Sequence, residues 1–356
     1  MSRFTVHDLR LPVIAAPMAG GPSTPELVAA VSNAGGLGFL ASGLVTAQTL
    51  ADSLAAARAL TSGPLGVNLF LPQPVPVNTA ELNAYAAALA TEAEHYGVAL
   101  GEPRYSDDDW DAKLDVVHEL KPELASFTFG LPSAVELARI KGAGITVVAG
   151  VTSLEEASAA TDRGFDALVA QGPKAGGHSF IFDGLAPAPT QPLNELLASI
   201  TDRCHLPVIA AGGLATAADL DCALQAGAVA GQFGTAFLLA DEAGTKAVHR
   251  AALTDPAFAE TSVTRAFTGR YARGLRNRFI DEHDHQAVAG FPNVFYLAGP
   301  VLAAAATSGD PQGTSLWAGT EFRQASAAPA ADIVSELVHG GSPGLGSAPQ
   351  GQSAGS

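Results

Sequence analysis

Eight short apolar runs, each followed by a stretch with helical character, recur along this 356-residue chain. The runs fall at 13–17, 36–41, 65–70, 124–129, 145–149, 167–170, 207–211 and 229–233. They are continuous rather than alternating, which is the pattern of parallel strands covered on both faces. Helical stretches lie between them, at 24–33, 47–59, 133–141, 154–162 and 216–226 among others. Two carry start signals: Thr46 precedes an Ala/Leu run, and Ser153 is followed by Glu155 and Glu156. Strand then helix, repeated eight times, predicts an α/β chain folded as a (β/α)8 TIM barrel. A doubly wound open sheet is the alternative. The count of eight and the late glycine turns favour the barrel.

Two stretches exceed the minimal repeat. Residues 72–120 follow the third strand with LPQPVPV and then Ala-rich helical sequence, and residues 241–325 follow the eighth strand and include TGRYARGLRNRF. Insertions after barrel strands build the face that carries the site. A last helix over 329–339 packs back on the barrel, so residues 1–340 read as a single barrel domain with the two insertions on the substrate side. The tail 341–356, GSPGLGSAPQGQSAGS, has no apolar periodicity and reads as disordered.

Composition narrows the function classes. A net charge of −16 argues against nucleic acid as a partner. No apolar run reaches the roughly 18 residues of a membrane span, and no secretory signal opens the chain. The default is a cytoplasmic enzyme. Cys204 and Cys222 form neither a disulfide framework nor a metal motif, and both read as buried thiols.

Three glycine turns stand at or after late strands: QGPKAGGH at 171–178, AGGL at 211–214 and GQFGTAF at 231–237. Loops after the seventh and eighth strands of a barrel often hold a phosphate, and Gly212, Gly213, Gly234 and the Thr235 hydroxyl suit an anion cradle. Gly176 and Gly177 admit a flat ligand close to the backbone. Asn68, Gln171 and Gln232 are amides in or at the ends of strands, able to read the edge of a flavin's pyrimidine ring; each is equally a capping or satisfied core amide. Met18 lies against such a ring or is simple packing. His178 is the candidate general base or electrostatic partner. No metal site is expected: His283 and His285 stand in a charged HDH loop and read as solvated, and the remaining histidines lack a supporting constellation. Arg265, Arg270, Arg273, Arg276 and Arg278 are either a structural network or a positive field for an anionic substrate, and Lys174 lies within the turn itself.

PVIAAPMAGGPSTPELVAAVSNAGGLGFLASG, GVNLF, SFTFG, QGPKAGGH, PVIAAGGLATAADL and GQFGTAFL, in this order across about residues 11–325, resemble the motifs of the nitronate monooxygenase family, formerly called 2-nitropropane dioxygenase. The resemblance implies a TIM barrel that binds FMN non-covalently and oxidises alkyl nitronates, propionate 3-nitronate included, with O2 to a carbonyl compound and nitrite. It places the catalytic histidine at His178 and FMN contacts at Met18, Asn68, Gln171, Gly176, Gly212, Gly213, Gln232, Gly234 and Thr235. Three positions depart from the family's usual pattern: Lys174 where an acidic residue is common, Phe180 where glycine is common, and Thr128 where some members have histidine. All three bear on substrate choice. TGRYARGLRN resembles the family's segment on the substrate side, with Tyr296 and Trp317 near it. Two other readings stand beside this one: an NAD(P)H-dependent flavin reductase of quinones or enoyl thioesters, and a phosphate-binding barrel without turnover. The sequence leaves the oligomeric state open.

Overall fold

In the computed structural model, residues 3–72 and 77–340 are described. Eight parallel strands close into a barrel: β1 (Val13–Ala15), β2 (Leu37–Ala41), β3 (Leu65–Phe70), β4 (Leu124–Thr128), β5 (Thr146–Val151), β6 (Ala167–Gln171), β8 (Val208–Ala211) and β9 (Ala230–Phe233). Closure comes from β9 pairing with β1, with Ile14 opposite Gln232. The expected (β/α)8 TIM barrel is thus the observed fold, and the open sheet is excluded. Strand-to-strand alternation sorts the apolar runs into two layers. Ile14, Phe39, Val148, Val169 and Ile209 fill the barrel interior, while Val67, Val147, Ala149, Leu168 and Val208 face the surrounding helices.

The helices begin where the sequence signals them. Thr24, Thr46 and Ser153 each accept a backbone N–H of the first turn of Pro25–Ala34, Ala47–Leu60 and Leu154–Arg163. The last helix, Ala330–His339, packs Ile333, Val334 and Leu337 beside Leu27, Val31 and Leu220. The tail 341–356 lies outside the described residues.

A feature absent from the sequence reading interrupts the repeat. Strand β7 (Gly177–His178) joins an antiparallel sheet with β10 (Thr261–Thr264) and β11 (Ala272–Leu275), in the order β10-β11-β7. His178 pairs with Ala272, so the loop after the sixth barrel strand is stapled to the long C-terminal insertion.

The two insertions also pack on each other. Helices Thr79–Ala88 and Ala90–Tyr96, with Leu89 between them, lay Leu82, Tyr85, Leu89 and Ala93 against Phe267, Phe279, Val294, Leu297 and Val301. Glu92 is 3% exposed and holds Arg278 with both carboxylate oxygens, while His283 Nε2 approaches Glu92 Oε1 at 3.2 Å. His283 is therefore buried, not solvated, because Glu92 gives it a partner inside the interface between the insertions. Of the two cysteines, Cys204 is buried, but Cys222 is exposed on the outer face of helix Ala217–Gln225. Among the described residues no helix is long and apolar enough to cross a membrane.

Candidate active site

A cavity of about 450 Å³ opens at the C-terminal end of the barrel strands. Met18, Asn68, Gln171, Gly176, His178, Gly212, Gly213, Gln232, Gly234 and Thr235 all line it, together with Gly177. The structure thus gathers all ten singled-out residues around one space.

The two late glycine turns form one wall. Gly212 and Gly213 have φ of +94° and +81°, and a Cβ on Gly212 would lie 2.8 Å from Gly172 O, so side chains are excluded by both conformation and packing. Gly234 is different: its φ is −103°, and the nearest atom to a built Cβ is Ala16 Cβ at 3.6 Å. Among the described residues nothing requires glycine there; the space a Cβ would fill belongs to the cavity. Beside it, Thr235 Oγ1 accepts the Gly319 N–H at 2.9 Å, leaving its proton available to an anion. Gly176 is set by the fold, since its Cβ would meet Gly319 N at 2.5 Å.

The three amides differ in what they offer. Gln171 turns inward: its Nε2 donates to His178 O at 3.1 Å and its Oε1 accepts the Phe180 N–H at 2.8 Å. It braces the loop that carries His178. Asn68 Nδ2 donates to Ser126 Oγ at 2.9 Å and Thr128 Oγ1 at 3.0 Å, which leaves Oδ1 as the acceptor facing the cavity. Gln232 makes no side-chain hydrogen bond among the described residues and presents a whole amide.

His178 stands in a box of aromatic rings. Its ring centroid lies 6.1 Å from Phe70, 5.7 Å from Phe129, 5.8 Å from Phe291 and 5.7 Å from Trp317. Nε2 meets Thr268 Oγ1 at 2.9 Å, and that hydroxyl reaches Arg270 O at 3.3 Å. With the hydroxyl proton on Arg270 O, the imidazole proton sits on Nε2 and Nδ1 is a bare acceptor. Burial among the rings, reinforced by the Arg270 charge, pushes the His178 pKa down to about 3. Arg270 itself is 2% exposed, lies 3.9 Å over the Phe129 face and donates to Ile181 O and Phe182 O.

The arginine cluster is structural. Arg265 donates to Gly184 O and Ala186 O, Arg273 to Pro173 O and Thr261 Oγ1, and Arg276 pairs with Glu260 and Asp281. Arg265 and Arg273 tie the insertion to the loop after β6, Arg276 braces the insertion internally, and none of them lines the cavity. Lys174 also stands outside it, 62% exposed and 3.5 Å from Glu321, a rim pair worth little in water. Of the other two departures, Thr128 is bonded to Asn68, and Phe180 packs its ring where Gly150 lacks a Cβ. Tyr296 is not a lining residue; its ring stacks under Arg104, and its neighbour Phe295 faces the cavity instead.

Sequence reasoning missed Thr268, Phe70, Phe129, Phe291 and His249. His249 lines the cavity, and burial pushes its pKa down to about 4. None of these has a local signal, since each gains its meaning from contacts far along the chain. The Glu92, Glu282 and His283 oxygens and nitrogens lie close enough for a metal, but Arg278 already occupies both carboxylates.

The chain resembles known proteins over nearly its whole length. The family described as nitronate monooxygenase matches residues 4–340. A nitronate monooxygenase from Paraburkholderia phytofirmans is 40% identical over 340 residues, covering 92% of this chain and 91% of the relative. The solved structure of a nitroalkane oxidase from Streptomyces ansochromogenes is similar at a TM-score of 0.90 and 44% identity, covering 93% of this chain and 96% of that one. FabK from Thermotoga maritima is similar at a TM-score of 0.72 and 25% identity, covering 94% of each chain. Matches of this extent, on a closed barrel whose cavity gathers the residues described above, make this chain an enzyme of the nitronate monooxygenase family.

Proposed function

We propose that the chain binds FMN non-covalently in this cavity and oxidises alkyl nitronates, such as propionate 3-nitronate, with O2 to a carbonyl compound and nitrite. The observation that carries the reading is the placement of His178: an imidazole in an aromatic box on one side of a cavity whose other wall is two glycine turns. The cofactor fits the residues present. Gly234 leaves a gap where a Cβ would stand, the Thr235 hydroxyl and the adjoining turn suit a phosphate, and Asn68 Oδ1 and the Gln232 amide are polar groups awaiting partners. Gly212, Gly213, Gly176 and Met18 would complete the contact, with Gln171 acting through the loop it braces.

Bound there, the flavin supplies the redox chemistry, and the protein supplies placement and field. Phe70 and Trp317, which line the cavity, would exclude water from one side of the substrate and hold its orientation, while Phe129 and Phe291 pack around His178. His178 is neutral at pH 7, so it offers an anionic nitronate no opposite charge and acts through placement and hydrogen bonding. With a neutral nitroalkane, Nδ1 is the atom that takes the α-proton. A free-enzyme pKa near 3 makes that a poor base until the anion forms next to it, which favours preformed nitronate over nitroalkane as substrate.

Purified protein should carry a flavin absorbance spectrum and consume O2 with propionate 3-nitronate in the absence of NADH. His178→Asn should keep the flavin and lose most turnover of the nitroalkane. Rapid anaerobic bleaching by NADH together with no O2 uptake on nitronate would replace this reading with the reductase.

A further inference from the structure

We propose that Trp317 is a second catalytic residue, whose indole Nε1–H donates a hydrogen bond to an oxygen of the substrate's nitro group; this rests on the nitronate reading above. Four rings surround His178, and three of them are phenylalanines with no polar atom. Trp317 alone brings a donor into the box. Buried indoles ordinarily find an acceptor. The other tryptophan does so: Trp110 Nε1 donates to Glu136 Oε1 at 2.7 Å. Trp317 Nε1 donates to no acceptor among the described residues, and it is not one of the polar atoms sealed from solvent without a partner. Trp317 lines the cavity, and this unsealed donor is assigned to whatever occupies it.

The indole is also held in place before any ligand arrives. Its ring stands edge-on to Phe267 at 5.3 Å and 88°, its backbone bridges to Gly274, and Ala318 N donates to Arg273 O at 3.3 Å. A donor fixed in this way loses little freedom on binding.

The chemistry asks for such a group. A nitronate carries its negative charge on two oxygens. With the Thr268 hydroxyl turned to Arg270 O, His178 Nδ1 has no proton to offer them. Arg270, whose charge acts on His178, lies over Phe129 and aims at the Ile181 and Phe182 carbonyls. With a neutral nitroalkane the α C–H bond breaks, its proton goes to Nδ1, and its electron pair enters the C=N bond, sending charge onto the nitro oxygens. The Trp317 N–H bond strengthens as that charge grows. With a preformed nitronate the charge is present from the start, so the same bond acts on binding and hardly on turnover.

The test compares holoenzyme wild type with Trp317→Phe, which keeps an aromatic ring and removes the donor. The KM for ethylnitronate should rise about tenfold with kcat within about threefold, and kcat/KM for nitroethane should fall at least about tenfold. Values within twofold of wild type for both substrates would overturn the role. A second measurement needs no variant. In holoenzyme with 15N-labelled indoles, 2-methyl-2-nitropropane, which has no α-hydrogen to lose, should move the Trp317 N–H resonance downfield and leave that of Trp110 in place. A Trp317 resonance unmoved at saturation would overturn the role even if Trp317→Phe does not fold. A wild-type enzyme with no turnover of any nitronate would refute the proposed function instead, a result separable from the other two.

Discussion

The neutrality of His178 has a thermodynamic signature that pH alone can expose. Its pKa falls from an ordinary 6.5 to about 3 in the folded protein. Above 6.5 the imidazole is neutral both folded and unfolded, and it costs nothing. As pH falls below 6.5, the unfolded chain binds a proton that the folded chain refuses, so stability is lost progressively down to about pH 3. At 1.36 kcal/mol per pH unit, the ceiling is about 5 kcal/mol, and the loss by pH 5 is about 2 kcal/mol. The part-exposure of the residue to solvent screens the effect to about 1–2 kcal/mol. The perturbation is His178→Gln, which retains a polar group but has nothing to titrate. Urea unfolding at pH 7.5, 6 and 5 should show wild type losing about 1–2 kcal/mol more than the variant over that range. His249, also buried and shifted downward, is common to both proteins and cancels in the difference. Parallel stability curves for the two proteins, or a His178 ring resonance titrating near 6.5, would refute the account of a desolvated imidazole.

Three further outcomes follow from particular contacts. Thr268→Val removes the oxygen that fixes His178 Nε2 and should cost about 1 kcal/mol of stability and about tenfold in kcat/KM, whereas Thr268→Ser should restore both; urea titration and steady-state kinetics read the pair. Gly234→Val should fold, because the nearest protein atom to the added Cβ is 3.6 Å away, yet should be purified without flavin colour; an absorbance spectrum decides it. Glu92→Gln strips the charge that holds the half-exposed Arg278 and the buried His283 between the two insertions, and should lower stability by about 2 kcal/mol in urea unfolding with the barrel intact by circular dichroism.

Much of the barrel was legible because parallel strands and their covering helices announce themselves locally. The run at 65–70 coincides with β3, and those at 167–170 and 229–233 differ from β6 and β9 by one residue at one end. The cap signals at Thr46 and Ser153 stand where helices begin. The glycine turns were legible as well, since their residue types answer to backbone conformation within a few positions. The HDH loop was not: His283 looks solvated until Glu92, far back in the other insertion, is folded against it. The arginines likewise read as an anion field or a structural network until loop carbonyls accepted their hydrogen bonds.

By itself, then, the sequence determined the strand-and-helix repeat and the turn that carries His178, because each unit is written in spacing over a dozen residues or so. Tertiary structure alone decided what surrounds that histidine. Phe70, Phe129, Phe291 and Trp317 come from four separate segments, and Thr268 arrives on the insertion that β11 staples to β7. Their meeting depends on chain closure over long separations, which no local pattern of residues encodes.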